Sequence, residues 1–292
     1  MAILPQLKKR FVLAEADPHS GHILGLCNPK TKVLDADTGT AQPLDAKLGE
    51  FQQYLWQERT RYIKNAFDII RSHPCTYILN GDVTHGNGHP EQIMSTRISD
   101  QYAIAHYNLL PIIERRNVKM IRLMSGTGIH SFGEGTSEIT VAERLQADYK
   151  HKDIGVVAHG RLKIGGAIFD VAHHGPGRGS RWWLEGNTAR YHLRDRMVRD
   201  LSIGLEPADV YLYAHFHVDV CEVVRMPWQG KTYKSHVIVL PSWCGLGEYA
   251  RKVTKSAPII ENGLYLFEIN DGRVTVYDEF VSRFDTRVEQ TL

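Results

Sequence analysis

Four short stretches of this 292-residue chain run from apolar residues into aspartate or histidine. Residues 11–14 (FVLA) lead to Asp17 and His19, and residues 75–79 (CTYIL) lead to Asp82. Residues 167–172 (AIFDVA) lead to His173 and His174, and residues 209–214 (DVYLYA) lead to His215 and His217. Carboxylates and imidazoles gathered in one place make a divalent-metal site. In Asp-x-His and His-x-His the two side chains lie two residues apart and leave extended backbone from one face, so both can reach one metal or an adjacent pair. Gly81 before Asp82 lets the chain turn sharply and bring the carboxylate close to backbone. One carboxylate can bridge two cations, and cations roughly 3.5–4 Å apart activate water and clamp a phosphoryl oxygen. Singly, a strand-end histidine, a Gly-Asp or a His-x-His is usually an ordinary loop feature. The four together, each ending an apolar run, carry the reading.

The elements that must position these residues follow from periodicity. Residues 11–14, 75–79 and 118–124 read as strands, and residues 50–71, 91–116 and 137–149 as helices, with Pro111 marking a kink or join in the second. Residues 20–50 are rich in Gly, Asp, Thr and Pro and read as a long loop. Strands are expected at 154–158, 161–165 and 167–172, with a Gly165-Gly166 turn. A basic, aromatic helix is expected at 186–203, then strands at 209–214, 219–225 and 232–240. The tail gives a hairpin at about 264–280, with Asn270-Asp271-Gly272 as its turn. Strands and helices alternate first and strands dominate later, which fits one α/β domain over residues 1–292 on two packed sheets. Ligand sites of such sheets gather outside the carboxyl ends of strands, where the Asp and His pairs stand.

The bulk composition excludes little. The net charge is +2, and 42% of residues are hydrophobic, as in a soluble globular protein. The whole surface is not basic enough to act as a nucleic-acid binder, although a local basic groove is compatible. Cys27, Cys75, Cys221 and Cys244 form no CxxC pair and match no zinc module or disulfide framework. The N-terminal stretch MAILPQLKKR lacks the apolar core of a secretion signal, and no apolar run reaches membrane-spanning length. A cytoplasmic location with reduced thiols is the expectation. The 15 histidines are many for this length and hint at metal or acid–base chemistry.

The order Asp17-x-His19, Gly81-Asp82, Gly126-Thr127 with His130, His173-His174-Gly175 and His215-x-His217 resembles the calcineurin-like metallophosphoesterases. The resemblance covers roughly residues 10–245. The stretch from His173 through Gly177, with Arg181-Trp182-Trp183 and Gly186-Asn187, is similar to phage and prophage members, which would place the protein in a bacterial host cytoplasm. It implies a four-layer α/β/β/α sandwich of two mixed β-sheets flanked by helices. It also implies two divalent ions, with manganese expected and iron or zinc compatible. Asp17, His19 and His217 would bind the first ion and Asp82 would bridge. His215 with His173 or His174 would bind the second, His173 being favoured because it comes directly off the strand. The implied activity is phosphoester hydrolysis, with a phosphodiesterase or nuclease favoured over a phosphomonoesterase. The partner is then the phosphoester substrate, nucleic acid among the candidates.

The sequence departs from the family where most members carry Gly-Asn-His. Thr127 stands in place of the Asn ligand, and a hydroxyl is a poorer ligand than an amide oxygen. Either Thr127 ligates, or His130 reaches back to the second metal, or water fills the position. His130 is also the candidate general acid. Ala214, where Gly usually precedes His-x-His, is a mild departure. The altered motif leaves an alternative, a catalytically weak metal- or phosphate-binding protein on the same fold. A zinc hydrolase of amides or lactones is disfavoured by the lack of HExxH. Arg178 and Arg181 are candidates for steadying a phosphate. Trp182 and Trp183 are expected to pack under a loop, with stacking on a base or a sugar as the alternative. His22, His85, Asn87 and His89 are expected mostly at the surface, one of them acting behind the metal ligands. His159 and His236 read as structural. The basic side of residues 190–200 reads as solvated, with a nucleic-acid contact as the alternative. The sequence does not indicate an oligomeric state.

Overall fold

The run Phe11-Val12-Leu13-Ala14 has no polar residue, and a strand apolar on both faces is stable only in a sheet covered on both sides. It forms strand β1 (Arg10–Glu15), buried at every residue after Arg10. A computed structural model describes residues 9–44, 48–132, 136–177, 179, 181–254 and 257–291. After β1 come the hairpin strands β2 (Lys32–Leu34) and β3 (Ala41–Pro43), helix α1 (Glu50–Ile70) and β4 (Cys75–Asn80). Helix α2 (Ile98–Ile113), β5 (Val118–Met124), α3 (Thr136–Asp148) and β6 (Asp153–Val157) complete the first half. The second half holds β7 (His159–Ile164), β8 (Ala167–Ala172), α4 (Asn187–Ser202), β9 (Val210–Tyr213), β10 (Val220–Trp228) and β11 (Lys231–Val239). It ends with α5 (Glu248–Val253), β12 (Ile259–Gly263), β13 (Tyr265–Asn270), β14 (Arg273–Tyr277) and β15 (Val281–Asp285).

Two mixed sheets carry the molecule. The first has the order β14-β13-β1-β4-β5-β6, and the second β10-β11-β9-β8-β7. β1, β4, β5 and β6 run parallel, while β13 and β14 join antiparallel. In the second sheet β11, β9 and β8 are parallel and the outer strands antiparallel. Strand alternation sends Val12 and Ala14 one way and Phe11 and Leu13 the other. Phe11 and Leu13 pack under α1, α2 and α3, through Leu55, Ile63, Leu109 and Val141 among others. Val12 and Ala14 meet Phe169, Val171 and Leu212 of the second sheet. Ala189, Leu193 and Met197 of α4 cover the outer face of that sheet, against Tyr211, Val237 and Val239. The layers are therefore helix, sheet, sheet, helix, as the resemblance implies.

Several boundaries differ from the sequence reading. α2 starts at Ile98 rather than near residue 91, because Pro90 opens a short 3-10 turn and Ser95 and Arg97 hydrogen-bond Asp100 in the first turn. α2 also runs on through Pro111. Proline cannot donate to the carbonyl four residues back, and the Asn28 amide takes that acceptor instead, Nδ2 donating to Tyr107 O at 2.8 Å. The 20–50 excursion contains the β2–β3 hairpin. α5 and the β12–β15 pair, outside the main sheets, were not foreseen. The tail hairpin is present, with Asp271 (φ 50°) and Gly272 (φ 73°) both left-handed, as a two-residue type I′ turn requires.

Candidate metal centre

The parallel strands β1, β4 and β5 of one sheet and β8 and β9 of the other deliver their carboxyl ends to one rim. Backbone hydrogen bonds fasten the loops there. His19 N–H donates to Asp82 O (3.1 Å), Ser20 N–H to Val83 O (3.1 Å), and Ala214 N–H to His173 O (2.9 Å). Asn80 Nδ2 bridges the sheets by donating to Ala172 O at 3.1 Å.

The side chains converge by a different local geometry from the extended one the spacing suggested. Asp17 (φ 49°), His19 (40°), Asp82 (46°), His215 (74°) and His217 (53°) all have left-handed backbone, and they are five of eight such non-glycine residues among those described. That conformation costs roughly 1–3 kcal/mol at each such residue and persists only where the surroundings enforce it. Its concentration on these residues marks a site. Tight approach also demands two glycines: a Cβ on Gly81 (φ 83°) would run into the His173 ring, and one on Gly126 into the Asp82 amide and carboxylate.

Asp17, His19, Asp82 and His173 are all buried. His19 Nε2 and His217 Nε2 are 3.1 Å apart, and each faces Asp17 Oδ1, at 4.0 and 3.7 Å. Asp82 Oδ2 stands between two groups, 3.9 Å from His19 Nε2 and 3.2 Å from His173 Nε2. His173 Nε2 is also 3.7 Å from Asp17 Oδ1. Donors held about 2.0–2.2 Å from a cation lie about 3–3.5 Å from one another, close to these separations. His173 Nδ1 donates to Asn80 O at 2.7 Å, which orients the ring so that Nε2 faces the carboxylates.

Thr127 completes the second group. Its Oγ1 is 3.3 Å from Asp82 Oδ2, 3.4 Å from His173 Nε2 and 3.1 Å from His215 Nδ1, and its N–H donates to Asp82 Oδ1 at 2.5 Å. His174 is more exposed than His173 but belongs to a close cluster with His173 and His215, its ring 4.5 Å from that of His215. His130 does not reach toward this group. Its Nδ1 is tied to His85 O at 2.9 Å and its ring packs edge-on to His19, centroids 4.5 Å apart.

Burial and neighbouring imidazoles shape the protonation. Burial, reinforced by adjacent imidazoles, holds His19 well below the usual histidine range. It pushes His215 down to about 4 and, against the pull of Asp82, His217 down to about 3. These are neutral rings with lone pairs. Burial would also depress His173, but Asp17 and Asp82 pull it up to about 9. Burial raises Asp17 to about 8, helped by Asp82 and opposed by His173. Burial works against the Asp82 charge too, yet the hydrogen bond and charge of His173 bring its carboxyl below the ordinary range. Asp17, Asp82 and His173 together therefore hold at least one proton at neutral pH.

Behind the rim lies a polar brace. Arg59 is fully buried and grips Glu15 at the end of β1, Nε to Oε2 at 2.9 Å and Nη2 to Oε1 at 2.6 Å, while Tyr77 Oη donates to the same carboxylate at 2.5 Å. Arg59 Nη1 donates to Asn108 O, and Asn108 Nδ2 donates to Ser20 Oγ and Leu26 O. The loop carrying Asp17 and His19 is thus held from α1 and α2.

His22 and His85, expected at the surface, are buried, at 2% and 4% exposure. Gln92 and the Leu24 amide hold both nitrogens of His22, and the His85 ring leans on His22 and His130. Asn87 is exposed. His159, read as structural, pairs with Asp170 at 2.8 Å. Trp183 does not pack under a loop: it is 62% exposed, with the Arg181 guanidinium 5.6 Å from its ring. Arg178 and the Trp182 side chain lie outside the described residues. The buried side of α4 faces the second sheet, and Arg194 and Arg199 point to solvent. Phe216, between the two histidines of the last motif, and Ile129 are exposed apolar groups on site loops that composition did not single out.

The donor set fits divalent cations. Asp17 Oδ1 and His19 Nδ1 are buried without a hydrogen-bond partner, and an unsatisfied buried acceptor is costly unless a proton or cation meets it. The groups Asp17–His19–His217, Asp17–Asp82–His173 and His173–His174–His215 each bring their ligand atoms within 4.8 Å of one another, so the cluster can hold metal ions. Among the described residues no helix is long and apolar enough to cross a membrane.

No protein-family model matches the sequence, and no curated protein matches it. Among solved structures the chain is similar to the Thermus thermophilus sulfate thiohydrolase SoxB in complex with glycerol, at 10% identity and a TM-score of 0.39. The match takes in 97% of this chain and 58% of that one.

Proposed function

We propose that this chain is a dinuclear metal-dependent phosphoester hydrolase of the calcineurin-like metallophosphoesterase kind, favouring phosphodiesters, nucleic acid among them, over monoesters. The observation that supports it most is Asp82 Oδ2, set between His19 Nε2 and His173 Nε2 at 3.9 and 3.2 Å. Asp17, His19 and His217 would hold one ion. His173, His215 and Thr127, with His174 at the edge, would hold the other, and Asp82 would bridge. Divalent cations supply Lewis acidity there, moving the pKa of water from about 15.7 toward about 7 and neutralising phosphoryl charge. The mixed oxygen and nitrogen donors suit manganese, iron or zinc, and manganese is our expectation.

The chain's own residues do the rest. The Thr127 amide anchors Asp82 Oδ1, so that Oδ2 is the oxygen turned to the histidines. The His130 Nδ1 contact with His85 O leaves Nε2 to pass a proton to the leaving oxygen. Arg181, paired with the exposed Trp183 face, offers a phosphate contact and a stacking surface, which favours a diester carrying a base or aryl group. Cys27, Cys75, Cys221 and Cys244 are free thiols, which fits a reducing compartment.

Hydrolysis of bis-p-nitrophenyl phosphate, p-nitrophenyl phosphate and single-stranded DNA with added manganese tests the proposal, with Asp82→Asn as control. Metal-dependent turnover of the diester supports it, and turnover of the monoester alone removes the diester reading. A second reading, a weakly active metal- or phosphate-binding protein, draws on Thr127 standing where the family carries an amide ligand. No manganese-dependent rate on any of the three substrates would favour it.

A further inference from the structure

One buried group near the centre has no role in the chemistry just described. His85 is 4% exposed, and both of its ring nitrogens are buried without a hydrogen-bond partner. Burying polar atoms without partners is costly, so its surroundings should offer it something. His22, the nearest ring at 4.3 Å, does not, because Gln92 and the Leu24 amide engage both its nitrogens. What faces His85 is His130, 5.2 Å away between centroids, and then His19 at 5.7 Å. His130 Nδ1 is committed to the His85 carbonyl, so its Nε2 lone pair is free. His19 turns Nε2 to His217 and keeps Nδ1 buried and unpartnered. The three rings bring ligand atoms within 4.8 Å of one another.

We propose that His85 and His130, closed on the third side by His19, form an additional cation site for zinc-like ions, and that filling it inhibits the enzyme by occupying the His130 lone pair. The inhibitory part rests on the role proposed above for His130. The preference follows from the donors. The main centre mixes carboxylates with imidazoles, whereas this one is all nitrogen, and imidazole suits zinc, copper and nickel better than manganese. Three nitrogens and one solvent position make a four-coordinate zinc site. If His19 joins through its second nitrogen, the ring becomes a bridge and releases its remaining N–H proton to solvent. The pinning of the two loops fits this use: a Cβ on Gly86 would crowd the backbone of Ile129 and His130.

The test loads metal-free protein with manganese and titrates it with zinc chloride. Bound metal per chain is read by elemental analysis after dialysis, and diester hydrolysis is followed in parallel. Wild type is expected to take up one zinc more than His85→Gln and to lose activity as that zinc binds, while inhibition of His85→Gln needs at least tenfold more zinc. His89→Gln, a neighbouring control, should behave as wild type. Equal zinc uptake by wild type and His85→Gln overturns the site. If His85→Gln fails to fold, wild type alone decides: a total of three ions supports the site and two overturns it. A total below two overturns the dinuclear reading, but one zinc that disappears in His85→Gln would still support this site.

Discussion

His19 and His217 lie 198 positions apart in the chain, yet their Nε2 atoms meet at 3.1 Å. Burial keeps both rings from charging readily, and two neutral imidazoles at that distance share either a proton or a cation. With Asp17 Oδ1 facing both nitrogens, a cation accounts for all three atoms at once.

Asp82 Oδ2 faces both His19 Nε2 and His173 Nε2, so the proposed centre depends on it on both sides. Asp82→Asn keeps the shape but replaces one carboxylate oxygen with an amide nitrogen that cannot ligate. The rate should fall by about 10²–10⁴-fold, the scale on which whole catalytic groups act, and bound manganese should drop by at least one per chain. Steady-state kinetics and elemental analysis on the same sample read both.

His130 should matter in proportion to how poor the leaving group is. His130→Ala is expected to slow hydrolysis of an alkyl phosphodiester by about 10²–10⁴-fold, while p-nitrophenyl esters, whose leaving group needs no proton, lose much less. Equal losses on both substrates would assign His130 a structural role.

Metal affinity should depend on pH with a defined sign. His173 is raised to about 9 and Asp17 to about 8, so protons occupy this cluster at neutral pH and a cation must displace them. Apparent manganese affinity should strengthen as pH rises from 6.5 to 8.5, by roughly tenfold per unit for each proton released, and flatten above about 9. Calorimetry in buffers of different ionisation enthalpy counts the protons. Binding without proton release over this range would contradict the assignment.

The buried Glu15–Arg59 pair should bear on stability rather than chemistry alone. Arg59→Met leaves the buried Glu15 carboxyl with Tyr77 as its one side-chain hydrogen-bond partner among the described residues, and breaking a buried pair from one side costs about 3–5 kcal/mol. Urea denaturation of the metal-free protein measures this, and a loss under about 1 kcal/mol would show that the carboxylate is satisfied elsewhere.

Much of this was legible in the residues. α1 shows helical spacing from Phe51 to Ile70, and the tail hairpin is announced by Asp271-Gly272 between alternating strands. The cluster of candidate ligands is legible because each of its segments follows a short, largely apolar run. What escaped depended on contacts far apart in sequence. His22 and His85 sit in loops with no periodicity, and their burial comes from rings brought in by other loops. Arg59 looks like any charged residue on α1 until Glu15, 44 positions earlier, is placed beside it. The Asp-x-His and His-x-His pairs were expected to converge on extended backbone. They converge through left-handed residues instead, a strain that only the assembled site can hold and that no spacing rule reveals.

Anomalous diffraction from crystals soaked in manganese chloride tests the central claim most directly. Two peaks roughly 3.5–4 Å apart are expected, one beside Asp17, His19 and His217, the other beside His173 and His215, with the Asp82 carboxylate between them. A single peak, or two peaks that Asp82 does not touch, would contradict the dinuclear centre.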